Sequence, residues 1–225
     1  MDAATFRDRL ETEKATELDR LGSNKSLVAL TDAALEAGVV LRAAADSEHA
    51  AHVTFSGWAA DADGGGDADG SGDGARDLFA WVADREATHR DRVVDSLAAL
   101  DDGADYEPSD GGDGGPMHAY LRERADPIER VAAGLVGRPL VSVRSHVQVV
   151  SFFVNEADET RADLFRELRA ETEEELDRGL AYLDDHCEGD DWERARMVAE
   201  YTVQLAYDDY ADALGRLGID VKPVC

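Results

Sequence analysis

The chain has 225 residues, and its 23 Lys and Arg against 50 Asp and Glu give a net charge of −27. This charge makes nucleic acids and anionic membrane surfaces poor direct partners, because both are negatively charged themselves. Hydrophobic residues make up 44% of the chain, which is too many for a disordered protein and enough for a sizeable core. The two cysteines exclude a disulfide scaffold and a metal site built on four thiolates.

We interpret the acidity as adaptation to a cytoplasm that contains molar salt. At that salt concentration the Debye length falls to about 3 Å, so a carboxylate-rich surface no longer repels itself. No apolar run approaches the roughly 20 residues of a membrane helix. Residues 1–7 also lack the basic-then-apolar order of a signal peptide. The sequence therefore predicts a halophilic, cytoplasmic protein with no membrane partner.

Most of the chain is predicted to be helical, because apolar residues recur every three or four positions. Two stretches rich in Gly and Asp, 61–74 and 101–115, cannot bury apolar surface and are predicted to be exposed loops. Segment 140–155 is apolar on nearly all sides, which predicts a central, buried helix. The predicted helices cover residues 4–21, 26–61, 75–100, 140–155, 159–186 and 192–217. We expect one all-α domain over 1–225, an antiparallel helical bundle with an additional N-terminal helix at 1–22.

Three ionisable residues lie on the apolar stripes of the predicted helices. Glu86 and His89 are three residues apart on the stripe of the second long helix, so they share a face. Glu48 lies seven residues after Leu41 and seven before Phe55, which also places it on the inward face of its helix. A buried carboxylate without a counter-charge costs several kcal/mol. A divalent metal ion is the simplest common partner for all three.

These residues resemble the rubrerythrin branch of the ferritin-like superfamily. Segment 48–59 is similar to the first metal helix of rubrerythrins, in which aromatic residues follow a Glu by seven and ten positions, here Phe55 and Trp58. Segment 79–90, with its Glu86-x-x-His89 pair, is similar to the second metal helix. The resemblance implies a ferritin-like fold, bound iron or manganese, and oxygen or peroxide chemistry.

The second half of the chain departs from the family pattern. Ser145 stands where the family has another metal-binding Glu, and the later helix has a Glu where a His is expected. The rubredoxin-like Cys-x-x-Cys pair is missing as well, so we expect no electron-relay domain of that type. The substitute ligands that the resemblance leaves open are Glu171, Glu174, Glu156 and His146.

The remaining histidines are assigned more ordinary places. His52 is four residues after Glu48 and is interpreted as a histidine at the edge of the core, with metal ligation as the second possibility. His49 and His118 are predicted at the surface. His146 lies in an apolar helix, so the sequence favours a core histidine over a ligand.

Two functions are compatible with these features, and enzymatic activity stays open between them. In the first, a metal-binding oxidoreductase holds Fe or Mn, which hard oxygen ligands favour over structural Zn. Glu86 would bridge or chelate, His89 would bind through an imidazole nitrogen, and Glu48 would supply a terminal carboxylate. In the second, a bundle with a partly lost site acts as an interaction or regulatory protein, linked to transcription through a protein partner and without direct DNA contact. A homodimer is compatible with both.

Overall fold

The computed structural model describes residues 1–61, 71–100, 106–108 and 114–222, and in these ranges every regular element is helical. The predicted all-α helical bundle is therefore confirmed. None of the helices in these ranges combines the length and apolarity that a bilayer crossing requires. The chain divides into two compact units, the first made of Met1–Val40 and Ile128–Cys225 and the second of Leu41–Pro127.

The helices in chain order are α1 (Ala3–Glu13), α2 (Ala15–Leu21), α3 (Lys25–Leu30), α4 (Ala37–Asp61), α5 (Ser71–Ala98), α6 (Gly115–Arg122), α7 (Pro127–Val131), the π-helical turn Ala132–Gly137, α8 (Arg138–Asn155), α9 (Glu159–His186) and α10 (Asp191–Arg216). The helices predicted at 140–155, 159–186 and 192–217 thus correspond to α8, α9 and α10. The helix predicted at 4–21 is interrupted at Lys14 and forms α1 and α2.

In the first unit, α8 and α9 form an antiparallel helical hairpin. Only residues 156–158 connect them, and the Asp158 side chain caps α9 by accepting a hydrogen bond of 3.1 Å from the Arg161 N–H. Near one end of the pair Arg138 contacts Glu175, and further along His146 lies against Phe165. Residue numbers rise on α8 as they fall on α9, as antiparallel packing requires.

The π-helical turn Ala132–Gly137 is the most buried stretch of the first unit, since all six of its residues are buried. Both α9 and α10 pack against it, and glycines allow this close approach. A Cβ atom on Gly179 would lie 2.5 Å from the Leu135 Cβ, and one on Gly137 would lie 2.8 Å from the Thr202 Cβ. The predicted central helix is therefore less buried than this turn, and its Val154 is 41% exposed.

The prediction of one helix over 26–61 is wrong, because α3 and α4 are separate helices. Asp32 and Ala33 adopt φ angles of 48° and 66°, which a right-handed helix cannot contain. The Ala33 N–H donates to the Val28 carbonyl at 2.9 Å, which closes α3 with a Schellman-type cap. This cap uses an aspartate at the left-handed position, so no glycine marks the end of α3 in the sequence.

The predicted loop boundaries are also partly corrected. Asp61 belongs to α4 and residues 71–74 belong to α5, so the loop predicted at 61–74 is shorter at both ends. The rest of that loop, together with 101–105 and 109–113 of the second loop, lies outside the described residues. Residues 106–108 form no regular element, and there the Tyr106 hydroxyl donates to Oδ1 of Asp46 at 2.8 Å.

Candidate metal centre

The candidate site lies in the second unit, where α4 and α5 pack side by side in opposite directions. The rings of Trp58 and Phe79 are 5.2 Å apart between centroids. Towards the start of α4 and the middle of α5, the His52 Nδ1 is 2.9 Å from the Ala83 carbonyl oxygen. The next contact in this series brings Glu48 of α4 to the middle of α5. Antiparallel packing thus converts positions that are far apart in the sequence into facing positions.

The apolar stripes predicted from the sequence form the interior of this helix pair. Their charged members are buried together with their apolar neighbours, because one face of each helix is turned inward. The buried stripe residues are Leu41, Ala44, Ala45, Glu48, Ala51, Phe55 and Trp58 on α4, and Val82, Glu86, His89, Val93 and Leu97 on α5.

Glu48, Glu86 and His89 meet at one point of this interior. The Nδ1 atom of His89 is 3.7 Å from Oε2 of Glu48 and 3.7 Å from Oε2 of Glu86. Glu48 is 5% exposed, and the other two residues are fully buried. One potential ligand atom from each residue lies within 4.8 Å of the others, so this group can hold a metal ion. We call these three residues the Glu-Glu-His cluster.

The electrostatics of the cluster follow from two buried carboxylates beside one imidazole. Burial by itself lowers the pKa of His89, but the neighbouring carboxylates of Glu48 and Glu86, each 3.7 Å away, outweigh it and raise the pKa to about 11. In the absence of a metal ion the imidazole is therefore protonated at neutral pH. A proton on His89 then partly balances the charge that two carboxylates bring into the interior.

The donor set also suits a divalent cation. Metal–ligand bonds to carboxylate oxygen and imidazole nitrogen are about 2.0–2.2 Å long, so ligand atoms around one ion are roughly 3–4 Å apart. The separations of 3.7 Å from His89 Nδ1 to each carboxylate fall in that range. Two carboxylates offset a charge of +2 when the imidazole is neutral. Three protein ligands leave coordination positions for small molecules.

Comparisons with protein families, curated proteins and solved structures found no match to this chain.

Glu171 and Glu174 lie elsewhere, on α9 in the first unit. Glu174 is exposed and accepts a hydrogen bond of 2.9 Å from Nη2 of Arg178, while Glu171 is partly exposed. The first unit also contains Glu156, which is exposed, and His146, which is buried with its ring 6.0 Å from that of Phe165. Among the described residues, the Glu-Glu-His cluster is the only group of three His, Cys, Asp or Glu side chains close enough to share an ion.

The buried carboxylate of α9 is a residue that the sequence reasoning missed. Glu175 is fully buried, and its Oε2 accepts a hydrogen bond of 2.6 Å from Nη2 of Arg138, which is also buried. Helical spacing could have identified it as buried, because Glu175 lies three residues after Thr172 and seven after Leu168, both on the buried face of α9. A guanidinium group thus balances this carboxylate.

The prediction that His118 lies at the surface is wrong. His118 is only 3% exposed, and its Nδ1 lies 3.3 Å from Oγ1 of Thr54 on α4. Gly114 precedes α6 with a φ of 75°, and a Cβ atom there would lie 2.6 Å from the Ala50 Cβ. This tight turn places the start of α6 against α4. His52 lies at the core edge, as predicted, and is held by the Ala83 carbonyl.

Proposed function

We propose that the chain is a rubrerythrin-like metalloprotein that binds Fe or Mn at the Glu-Glu-His cluster and carries a peroxide- or oxygen-linked redox activity. The observation that carries the proposal is the convergence of two carboxylates and one imidazole in an otherwise apolar interior. Burying two carboxylates costs several kcal/mol unless a cation balances them. A bound divalent ion provides that balance.

The ligand types favour Fe or Mn over structural zinc. Carboxylate oxygens suit hard cations such as Mn²⁺, and imidazole with carboxylates suits Fe²⁺, whereas structural zinc sites are rich in thiolates. Cys187 is buried, but it belongs to the first unit and not to the cluster. His89 would bind through a neutral imidazole nitrogen, and Glu48 and Glu86 through their carboxylates. The metal would supply the electron transfer to peroxide or oxygen at its open positions.

Metal loading of matched variants tests the proposal. The chelator-treated protein is incubated with Mn²⁺, or anaerobically with Fe²⁺, then desalted, and its metal content is measured by mass spectrometry. We expect the wild type to retain about one ion per chain, because three protein ligands at one point define a single site. Glu86→Ala is expected to lose that ion.

Asp84→Asn is the matched control, since Asp84 lies two residues from Glu86 on the same helix but is exposed. Glu174→Gln is the second control and removes an equivalent charge from α9. Both controls are expected to retain metal. A wild type that is folded by circular dichroism and yet retains neither metal would contradict the proposal.

The redox part of the proposal needs its own assay. Reduction of one hydrogen peroxide molecule to two water molecules consumes two electrons and two protons, so the assay supplies ascorbate as the electron donor. Metal-loaded wild type is expected to consume peroxide faster than the metal-free protein or Glu86→Ala. Equal rates of peroxide consumption in all three samples, with metal present in the wild type, would contradict the redox activity while leaving metal binding in place.

The protonated state of the cluster favours a second candidate function. Because the pKa of His89 is raised to about 11, its proton partly balances the two carboxylates without a metal ion. The bundle would then be non-catalytic and act as an interaction or regulatory protein. In that case Glu86→Ala changes stability only, and the metal content of the wild type is negligible.

A further inference from the structure

A cleft in the first unit combines an aliphatic lining with three clustered arginines. It has a volume of about 300 Å³ and is formed by α1, α8 and α9. Its apolar lining comes from Leu140, Val143, Val147 and Leu176. Leu140 and Leu176 are buried, whereas the two valines are partly exposed, so part of the apolar surface is open to a ligand.

Arg7, Arg144 and Arg169 bring three positive charges to this cleft, each from a different helix. The lining contains two carboxylates, Glu11 and Glu173, so its formal charge is 3 − 2 = +1. A third carboxylate lies beside the lining, since Oδ1 of Asp177 is 3.9 Å from Nη1 of Arg7, so three carboxylates face the three arginines. The whole chain has a net charge of −27, so an anion is repelled less at this cleft than by the acidic surface elsewhere.

The three guanidinium groups keep donors available for a ligand. Each carries five N–H donors in a planar arrangement. Among the described residues, Arg7 donates once, to Glu11 at 2.8 Å, and Arg169 donates once, to Glu173 at 3.1 Å. Arg144 donates to Glu11 at 3.4 Å and to the Leu140 carbonyl at 2.7 Å. The three side chains are 41%, 24% and 43% exposed in the order Arg7, Arg144 and Arg169, so a ligand can reach them.

We propose that this cleft binds a small amphipathic carboxylate, with its carboxylate on the arginines and its aliphatic chain on the leucines and valines. A carboxylate accepts two parallel hydrogen bonds from one guanidinium group, which makes it a better match than a spherical anion. Octanoate joins a carboxylate to an aliphatic chain and is the probe that we choose.

Calorimetric titration of the full chain with octanoate tests the assignment. We expect saturable binding of one octanoate per chain. Binding should be at least about tenfold weaker for 1-octanol, which lacks the carboxylate, and for acetate, which lacks the aliphatic chain. All three titrations use the same buffer and salt concentration, because salt screens partly exposed charges.

Two matched substitutions on α9 distinguish the loss of an arginine in the cleft from the same change in net charge outside it. Arg169→Gln is expected to weaken octanoate binding by about fivefold, as for the loss of one partly exposed charge pair. Arg178→Gln removes an equally exposed arginine that also pairs with a glutamate one turn away but does not line the cleft, and it is expected to leave the affinity unchanged.

Val147→Asp provides a further check, because it places a carboxylate within the apolar lining. It is expected to abolish octanoate binding while the helical circular-dichroism signal is retained. The assignment is overturned if octanoate does not saturate, if 1-octanol binds as tightly as octanoate, or if Arg169→Gln and Arg178→Gln weaken binding equally.

Discussion

Individual residues show two ways in which this chain balances a carboxylate in its interior. Glu175 is paired with the guanidinium group of Arg138 at 2.6 Å, so its counter-charge is a permanent one. Glu48 and Glu86 face the imidazole of His89, which carries a proton or can release it in favour of a metal ion. Arginine does not lose its proton in proteins, whereas histidine does. Of these two arrangements, the Glu-Glu-His cluster is therefore the one that can exchange its cation.

The buried Arg138–Glu175 pair leads to a prediction about stability. Arg138→Met removes the guanidinium group beside a fully buried carboxylate, and the free energy of unfolding in urea is expected to fall by about 3–5 kcal/mol. Adding Glu175→Met removes the buried charge itself, so the double variant is expected to regain most of that loss. Arg178→Met, which removes an exposed pair, is expected to cost at most about 1 kcal/mol. A double variant as unstable as Arg138→Met would contradict this account.

The raised pKa of His89 leads to a prediction about pH dependence in the metal-free protein. The pKa is about 11 in the folded state against an ordinary value of 6.5, so the folded state binds the proton more tightly. This stabilisation is complete below about pH 6.5, declines as the pH rises, and is lost near pH 11. The free energy of unfolding should therefore fall across this window by at most about 1.4 kcal/mol per pH unit.

His89→Gln is the reference for this measurement, because it lacks the titrating group. The difference in unfolding free energy between wild type and His89→Gln, measured with a chelator present, is expected to shrink from pH 7 to pH 10. A constant difference would show that His89 does not hold a proton in the folded state.

At the scale of helices, the two units differ in how their helices pack. In the second unit, long and regular helices α4 and α5 bring apolar stripes together, and their regularity places Glu48 opposite Glu86 and His89. In the first unit, α9 and α10 pack against a π-helical turn, where glycine positions allow the backbones to approach closely. π-helical turns interrupt the regular α-helical register. The helical spacing of the sequence predicts the pairing of apolar stripes but not the packing against the π-helical turn.

Gly179 should therefore be intolerant of a side chain. In Gly179→Ala the new Cβ would lie 2.5 Å from the Leu135 Cβ and 2.8 Å from the Leu135 carbonyl oxygen, so α9 must move away from the π-helical turn. The free energy of unfolding is expected to fall by about 1–3 kcal/mol. Gly215→Ala is the control, since no heavy atom of a neighbouring group lies within 4 Å of its added Cβ. That change should be neutral or stabilise by up to about 1 kcal/mol.

At the scale of the whole molecule, charge is the dominant feature. With 50 acidic residues against 23 basic ones, every folded conformation brings carboxylates closer together than they are in the unfolded chain. Screening by salt weakens this repulsion, since the Debye length is about 3 Å in 1 M salt and about 30 Å at 0.01 M. The ion pairs of α9 and α10, such as Arg169–Glu173, offset only a part of the excess.

We predict that the folded state is lost on dilution into low salt at neutral pH. The helical circular-dichroism signal should decrease cooperatively as NaCl falls from about 2 M towards 0.01 M, because screening weakens over that range. Sucrose in place of NaCl is the control, since it favours compact states without screening charge. An unchanged helical signal in low salt, or full protection by sucrose alone, would contradict the explanation by charge.

The sequence predicts which residues form the candidate site, but it does not predict where the chain turns between helices. Helical spacing identifies Glu48, Glu86 and His89 as inward-facing, because burial follows from position on a stripe. It does not predict the break at 31–36, since Asp32 takes the left-handed position that glycine usually marks. It also misplaces His118, whose burial depends on the turn at Gly114 and not on periodicity.

What the sequence by itself determined is the helical class, the inward faces of the long helices and the excess of negative charge. These properties are local or compositional, so they can be derived from residue types and their spacing. Only the tertiary structure decided which cation accompanies each buried carboxylate: His89 for Glu48 and Glu86, and Arg138 for Glu175. The physical reason is that such pairing depends on distances between helices, which follow from tertiary packing. In the first unit, for example, Gly179 lets α9 approach the π-helical turn that directly precedes Arg138.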